Sequence, residues 1–264
     1  MNAKSLSAWA LCLLTSISFS FATSAENYVG IQVGGRFANK ISNVRGDVTN
    51  VTLFPPVTLV PVSLGNFTGT DSSDMKLDET ISFGAKIGHY FDKMPFIGIE
   101  GDINFSKPDL YPQNLTLTNS AFPATIPPQY ERRIKVNDLQ GGVSLMLRYP
   151  AFKRVMPYVG IGPQVHWFNL RGTGVTENPL GTLFPAQPAT LQLNAVNQDK
   201  IAVGLQAKTG VRVALTKHLA VDAEYKFNYS PVRFQARNLD NISGSYTSHE
   251  IGAALVYRFG KIRW

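Results

Sequence analysis

Phe96-Ile-Gly-Ile-Glu-Gly-Asp-Ile-Asn-Phe105 sets Ile97, Ile99, Ile103 and Phe105 on one parity and Gly98, Glu100, Asp102 and Asn104 on the other. Successive side chains of an extended strand point to opposite faces, so the stretch predicts a strand with one apolar and one charged side. A helical period would scatter both sets around the axis. The apolar side needs a non-aqueous neighbour, and the charged side needs water or counter-charges.

The same pattern extends in both directions along the chain. Tyr28–Phe37 sets Val29, Ile31, Val33 and Phe37 against Gln32 and Arg36, and Thr80–Tyr90 sets Ile81, Phe83, Ala85 and Ile87 against Ser82 and Lys86. Asp138–Tyr149 sets Leu139, Val143, Leu145 and Leu147 against Gln140, Ser144 and Arg148. Tyr158–Phe168, Ile201–Val213, Val221–Tyr229 and Glu250–Phe259 complete eight segments. Pro163 interrupts the fifth, where a bulge or a local break in pairing is expected, because proline has no N–H to donate.

Charge segregates completely. The apolar parity of the eight windows carries no Asp, Glu, Lys or Arg, whereas the other carries thirteen. Seven are basic (Arg36, Lys86, Arg148, Lys208, Arg212, Lys226, Arg258) and six acidic (Glu100, Asp102, Asp138, Asp222, Glu224, Glu250). A soluble lipocalin-like carrier would turn the apolar face inward around a ligand. A membrane barrel would turn it outward to lipid, where Arg or Lys at the midplane costs roughly 2–4 kcal/mol. Eleven glycines, Gly30, Gly88 and Gly210 among them, lie on the charged parity. A solvated face has no use for missing side chains, but a narrow eight-stranded lumen does. Glycine placement therefore favours the membrane barrel.

Connections alternate between short and long. Phe91–Pro95, Pro150–Pro157 and Thr216–His218 are tight, whereas Ala38–Glu79, Ser106–Asn137, Asn169–Lys200 and Ser230–His249 are long. Outer-membrane barrels have short periplasmic turns and long extracellular loops. Aromatic residues near segment ends (Phe37, Phe105, Tyr149, Trp167, Phe227, Tyr229, Tyr257, Phe259) suit two interfacial girdles.

Residues 1–25 form the expected signal peptide: Lys4, then an apolar run Ala8–Phe21, then small-residue cleavage options ending at Ala22 or Ala25. Residues 26–264 form the barrel domain. The single cysteine, Cys12, lies in the signal, so the mature chain has neither disulfide nor Cys-based metal site. No later stretch of about 18 apolar residues offers a membrane helix.

Three stretches carry a family resemblance: Tyr28-Val-Gly-Ile-Gln-Val-Gly-Gly35, Pro157-Tyr-Val-Gly-Ile-Gly162 and His249-Glu-Ile-Gly-Ala-Ala-Leu-Val-Tyr-Arg-Phe259. The chain resembles eight-stranded outer-membrane proteins of the OmpA, OmpX and opacity-protein type. The resemblance implies an all-β, up-and-down antiparallel transmembrane barrel in a Gram-negative outer membrane, in contact with lipid and lipopolysaccharide. It also implies that Tyr257 and Phe259 act as the terminal-strand signal read by the barrel-assembly machinery. Phe259 is followed by Gly260-Lys-Ile-Arg-Trp264, a departure from a terminal Phe.

For function, the thirteen charges are expected to pair across neighbouring strands as a structural filling of the lumen; a narrow ion path is the alternative. The expected role is structural or surface-interaction, adhesin- or antigen-like, with small-solute channel, lipid A-modifying enzyme and soluble carrier as rivals. Enzyme action is not expected. In a strand Ser248 and Glu250 point one way and His249 the other, so the three cannot converge. Arg45-Gly46-Asp47, in the first long link, is a candidate contact for an extracellular or host protein, though three-letter words recur by chance. The same link carries the apolar run Val51–Phe67, either an interaction patch or a hairpin extending the first two segments. No metal cluster, cofactor-binding motif or nucleic-acid motif is visible.

Overall fold

The computed structural model describes residues 26–53, 62–72, 74–109, 117–119, 122–126, 129–130, 135–149, 154–177, 190–236 and 239–260. The expected signal, 1–25, and the tail 261–264 lie outside the described residues. The strands are β1 (Glu26–Leu53), β2 (Val62–Ser72), β3 (Met75–Lys76), β4 (Thr80–Tyr90), β5 (Ile97–Ser106), β6 (Leu117–Asn119) and β7 (Phe122–Ile126). They continue with β8 (Gln129–Tyr130), β9 (Lys135–Arg148), β10 (Val155–Glu177), β11 (Thr190–Ala214), β12 (Leu219–Ala236) and β13 (Leu239–Gly260).

Eight of these close a ring in the order β1-β4-β5-β9-β10-β11-β12-β13, with β13 pairing back onto β1 from Glu26↔Gly260 to Val48↔Leu239. Every pairing is antiparallel, so each alternating segment becomes one wall strand and no edge is left open.

Closure decides which side faces out. Ile201 is 74% exposed and Val203 61%, whereas Glu100, Asp138, Asp222 and Arg258 are 0% exposed. Ile31, Phe83, Ile99, Ile103, Leu145, Ile161, Leu205 and Ile251 are likewise exposed. Each square ångström of such surface left in water costs about 25 cal/mol, so this belt requires hydrocarbon around it. The soluble carrier is excluded by the same observation, since its apolar side would line the interior.

Lumen glycines make room for side chains of neighbouring strands. A Cβ at Gly88 would lie 2.1 Å from Cζ of Tyr28, and one at Gly210 would lie 2.7 Å from Cζ of Tyr158. At Gly162 the obstacle is backbone: a Cβ there would fall 1.8 Å from the Val143 carbonyl oxygen. Beside it, the ladder from β10 to β9 passes from Ile161↔Leu145 to Gln164↔Gly142 without pairing 162 or 163 and without a change of register. Pro163 thus produces a local break in pairing and no bulge.

The long links are more regular than expected. β1 runs on through the first link to Leu53 and forms a hairpin with β2, while β10 and β11 stay paired up to Glu177↔Thr190. Strand pairing satisfies backbone groups wherever two chains leave the barrel side by side, so these walls continue beyond the aromatic rows. Arg45-Gly46-Asp47 is accordingly not in a loop. Its backbone lies inside β1, with Arg45 opposite Ser243 and Asp71, Gly46 opposite Thr70, and Asp47 opposite Asp240. Those three side chains lie outside the described residues.

Candidate functional site

The lumen holds the chain's chemistry, stacked in layers along the barrel axis. At the turn end, Glu26 joins two arginines: its carboxylate accepts from Arg148 at 2.6 Å and from Arg258 Nε at 2.8 Å. Arg148 also lies over the Tyr90 ring, 3.8 Å from its centroid. Tyr28, Tyr90, Met146, Tyr158, Ala220, Ala254 and Val256 fill the space around this layer.

Next come two linked groups. Arg212 donates to both oxygens of Asp222 at 2.7 and 2.9 Å and lies 3.9 Å from the Tyr28 ring centroid. Lys86 reaches Asp222 at 2.9 Å and Glu224 at 3.2 Å, and Tyr158 donates to Glu224 at 2.7 Å. Tyr28 donates to Glu100 at 2.7 Å. Lys208 bridges Glu100 at 2.8 Å and Asp102 at 2.7 Å, and Lys226 reaches the other Asp102 oxygen at 3.0 Å.

Above them Arg36 spans the lumen from β1. Its guanidinium donates to Ser106 at 2.8 Å, Asp138 at 2.5 Å, Gln140 at 2.8 Å and Glu250 at 3.1 Å, on β5, β9 and β13. His166 Nδ1 contacts Asp138 at 2.9 Å, and its ring stacks on Phe168 with centroids 5.1 Å apart. An apolar layer finishes the column: Ile41, Leu77, Val136, Phe168, Ala202, Val232 and Tyr246.

All thirteen sequence-predicted charges point inward, twelve of them buried and Glu224 nearly so. Glu26 joins them, making seven cations and seven carboxylates. It escaped the sequence reading because it precedes the first apolar residue of its segment. The pairing differs from expectation: most ion pairs cross the lumen (Arg36–Asp138, Lys86–Asp222, Lys208–Glu100, Arg148–Glu26) and only some follow a ladder, as Arg212–Asp222 does. In so narrow a barrel a long basic side chain reaches the far wall as easily as its neighbour. Tyr28, Tyr158, Gln140, Gln164 and Gln206 also belong to the network. Their inward parity was visible in sequence, but neutral residues carry no segregation signal.

Tyr257 and Phe259 face outward at the turn end, ring centroids 6.4 Å apart. Ser248 and Glu250 face the lumen, whereas His249 sits on the outer surface against Phe37 and Phe227, its Nδ1 2.6 Å from the Tyr225 hydroxyl. The geometry that would make a triad is absent at this position.

Comparison with solved structures returns small outer-membrane barrels. Neisserial surface protein A (NspA) aligns at 15% identity and TM-score 0.43, over 88% of this chain and 96% of that one. OprG from Pseudomonas aeruginosa aligns at 12% identity and TM-score 0.44, over 90% and 98%. Ail, the attachment invasion locus protein of Yersinia pestis, solved with the heparin analogue sucrose octasulfate, aligns at 10% identity and TM-score 0.35, over 88% and 99%. No curated protein matches the chain. The family model described as outer membrane protein beta-barrel domain matches residues 10–259. With a closed eight-stranded wall, an apolar exterior and that match, the chain belongs to the outer membrane protein β-barrel family of the Gram-negative outer membrane.

Proposed function

We propose that this barrel is a closed, non-catalytic membrane anchor whose work is done by the strand pairs it holds above the outer leaflet. The observation that carries the reading is Arg36, whose single guanidinium joins groups on three other strands and blocks the lumen beneath the Ile41–Tyr246 apolar layer. An aqueous path would leave such charges solvated along one side. The fourteen paired charges serve as structural filling, because near-neutrality is what a buried set must reach.

Above the aromatic rows, β10 continues for ten residues beyond Trp167, roughly 30 Å of strand. β1–β2 and β12–β13 project in the same direction. These pairs are the surface available to an extracellular or host protein, whether through the Arg45–Asp47 segment or elsewhere. Residues 1–25 act as the export signal, and Tyr257 with Phe259 as the contact for the barrel-assembly machinery.

Conductance across planar bilayers is the test. The purified barrel should give no steps above the bare-membrane baseline. Stable open-channel steps would replace this reading with the small-solute channel. Protease added to intact cells should cleave within the projecting pairs and leave the wall strands whole.

A further inference from the structure

Formal charge on the chain is +7, yet the lumen cancels to zero, so the cationic surplus lies elsewhere. The four long links are almost balanced, with eleven Lys and Arg against ten Asp and Glu. The short connections 91–95, 150–157 and 216–218, together with 260–264, carry six cations (Lys93, Lys153, Arg154, Lys217, Lys261, Arg263) and one carboxylate, Asp92. Outside the expected signal, nearly all of the surplus is thus carried by the connections at the turn end and the segment that follows β13.

Three of these cations lie in the described residues, one at each turn: Lys93 between β4 and β5, Arg154 just before β10, and Lys217 between β11 and β12. All three are exposed, and among the described residues none has an ion-pair partner, whereas Asp92 is half-buried and already engaged. Hydrogen bonds fix the backbone beneath them. The Ile97 N–H donates to the Met94 carbonyl at 2.9 Å and the Ala214 N–H to the Arg154 carbonyl at 2.8 Å. The Thr216 hydroxyl accepts from the His218 and Leu219 N–H groups at 3.2 and 3.0 Å, which holds Lys217 between them. Each cation also has exposed apolar neighbours along the chain: Met94 and Phe96 beside Lys93, Val155 beside Arg154, and Leu215 beside Lys217.

We infer that the turn end is a docking surface for the anionic headgroups of glycerophospholipids in the periplasmic leaflet. Short turns of an outer-membrane barrel face the periplasm. Links of three to eight residues carry no side chain far from the wall, so these cations stay at the depth where a phospholipid phosphate joins its acyl chains. Basic side chains beside a membrane draw anionic headgroups, and their stems pack along apolar neighbours while the charge reaches the phosphate. A soluble acidic protein or the wall polymer would be met by a surface without exposed apolar groups. Here every cation is flanked by one, as an acyl chain requires. The nearly balanced long links give the outer leaflet no comparable surplus, so the preference is confined to one leaflet. The inference goes beyond contact with bulk lipid and does not depend on what the projecting strand pairs contact.

The test inserts the full barrel into phosphatidylcholine vesicles with its turns outward, a direction confirmed when added protease leaves the projecting pairs intact. Spin-labelled phosphatidylglycerol or phosphatidylcholine is then exchanged into the outer leaflet alone. The wild type should immobilise phosphatidylglycerol about tenfold more strongly, as expected of a few weak rim ion pairs acting together. Salt at about 1 M should abolish the difference, the Debye length then being ~3 Å. The triple variant Lys93→Gln, Arg154→Gln, Lys217→Gln should lose the preference. The control Lys107→Gln, Lys135→Gln, Arg171→Gln removes as much charge from the other end and should keep it. If the turn variant fails to fold, each of its single variants should lower the preference about twofold. Equal immobilisation by the wild type, or a preference kept by the turn variants or lost by the control, would overturn the assignment. So would wild-type binding to isolated cell-wall sacculi without any lipid preference, which would give the surface to the wall polymer.

Discussion

Lys208 on β11 and Lys226 on β12 are direct cross-strand partners, and both ammonium groups turn to one carboxylate, Asp102 on the facing wall, at 2.7 and 3.0 Å. Two like charges opposed on a ladder repel. Here the third strand supplies the compensation, and Gln206 also donates to Asp102 at 3.0 Å. The barrel is thus held shut by contacts that skip over neighbours, which couples distant strands into one cooperative unit.

Removing that carboxylate should be costly. Asp102→Ala leaves two buried ammonium groups opposed with no shared partner and should lower unfolding stability by roughly 3–5 kcal/mol. Urea unfolding of the refolded barrel in micelles measures it, with heat-modifiable gel migration as the folding check. A loss below about 1 kcal/mol would mean that water replaces the carboxylate without penalty.

A second expectation concerns the outside of the wall. Val203→Arg puts a cation on the lipid face of β11 and should block assembly, at roughly 2–4 kcal/mol near the midplane. Deletion of the β1–β2 hairpin above the aromatic row should leave assembly intact. Recovery of normal amounts of the arginine variant in the outer membrane would contradict the outward orientation of Val203.

Packing offers a third. Gly88→Val drives a side chain into the Tyr28 ring, whose Cζ stands 2.1 Å from the Cβ position. Overpacking should cost about 1–3 kcal/mol. Adding Tyr28→Ala should recover much of it, giving a clear non-additive cycle. Strict additivity in the same unfolding assay would separate the two residues.

Finally, spin labels distinguish hydrocarbon from cavity. Cys12 is the single cysteine of the chain, so in a Cys12→Ser background Ile99→Cys and Leu145→Cys provide unique attachment sites on exposed wall positions. Both should show strong relaxation by oxygen dissolved in the acyl chains and weak relaxation by a water-soluble nickel reagent. The reverse ratio at either site would place it in an aqueous or enclosed environment.

Much of the fold was legible because parity is a property of each strand alone. Val29, Ile81, Ile99, Leu145 and Ile251 each declare a face without reference to any other segment, and Arg36, Lys86 and Glu100 declare the opposite one. The continuation of β1 beyond Ala38 and of β10 beyond Phe168 was not legible. Above the membrane no solvent imposes a one-sided pattern, so alternation fades while pairing persists. Glu26 was missed for a related reason, standing at a strand end with no alternating neighbour before it.

Sequence alone determined that there are eight two-faced strands, that charge is barred from one face, and that the turns alternate short and long. Only the closed tertiary structure decided which carboxylate serves which cation. Partner choice depends on distances across a lumen whose width comes from ring closure and from which glycines admit a neighbour's side chain. No local pattern encodes that distance. Hence Arg36 answers to Asp138 across the lumen as well as to its ladder partner Glu250, and Lys226 answers to Asp102 rather than to Glu250, its own ladder partner on β13.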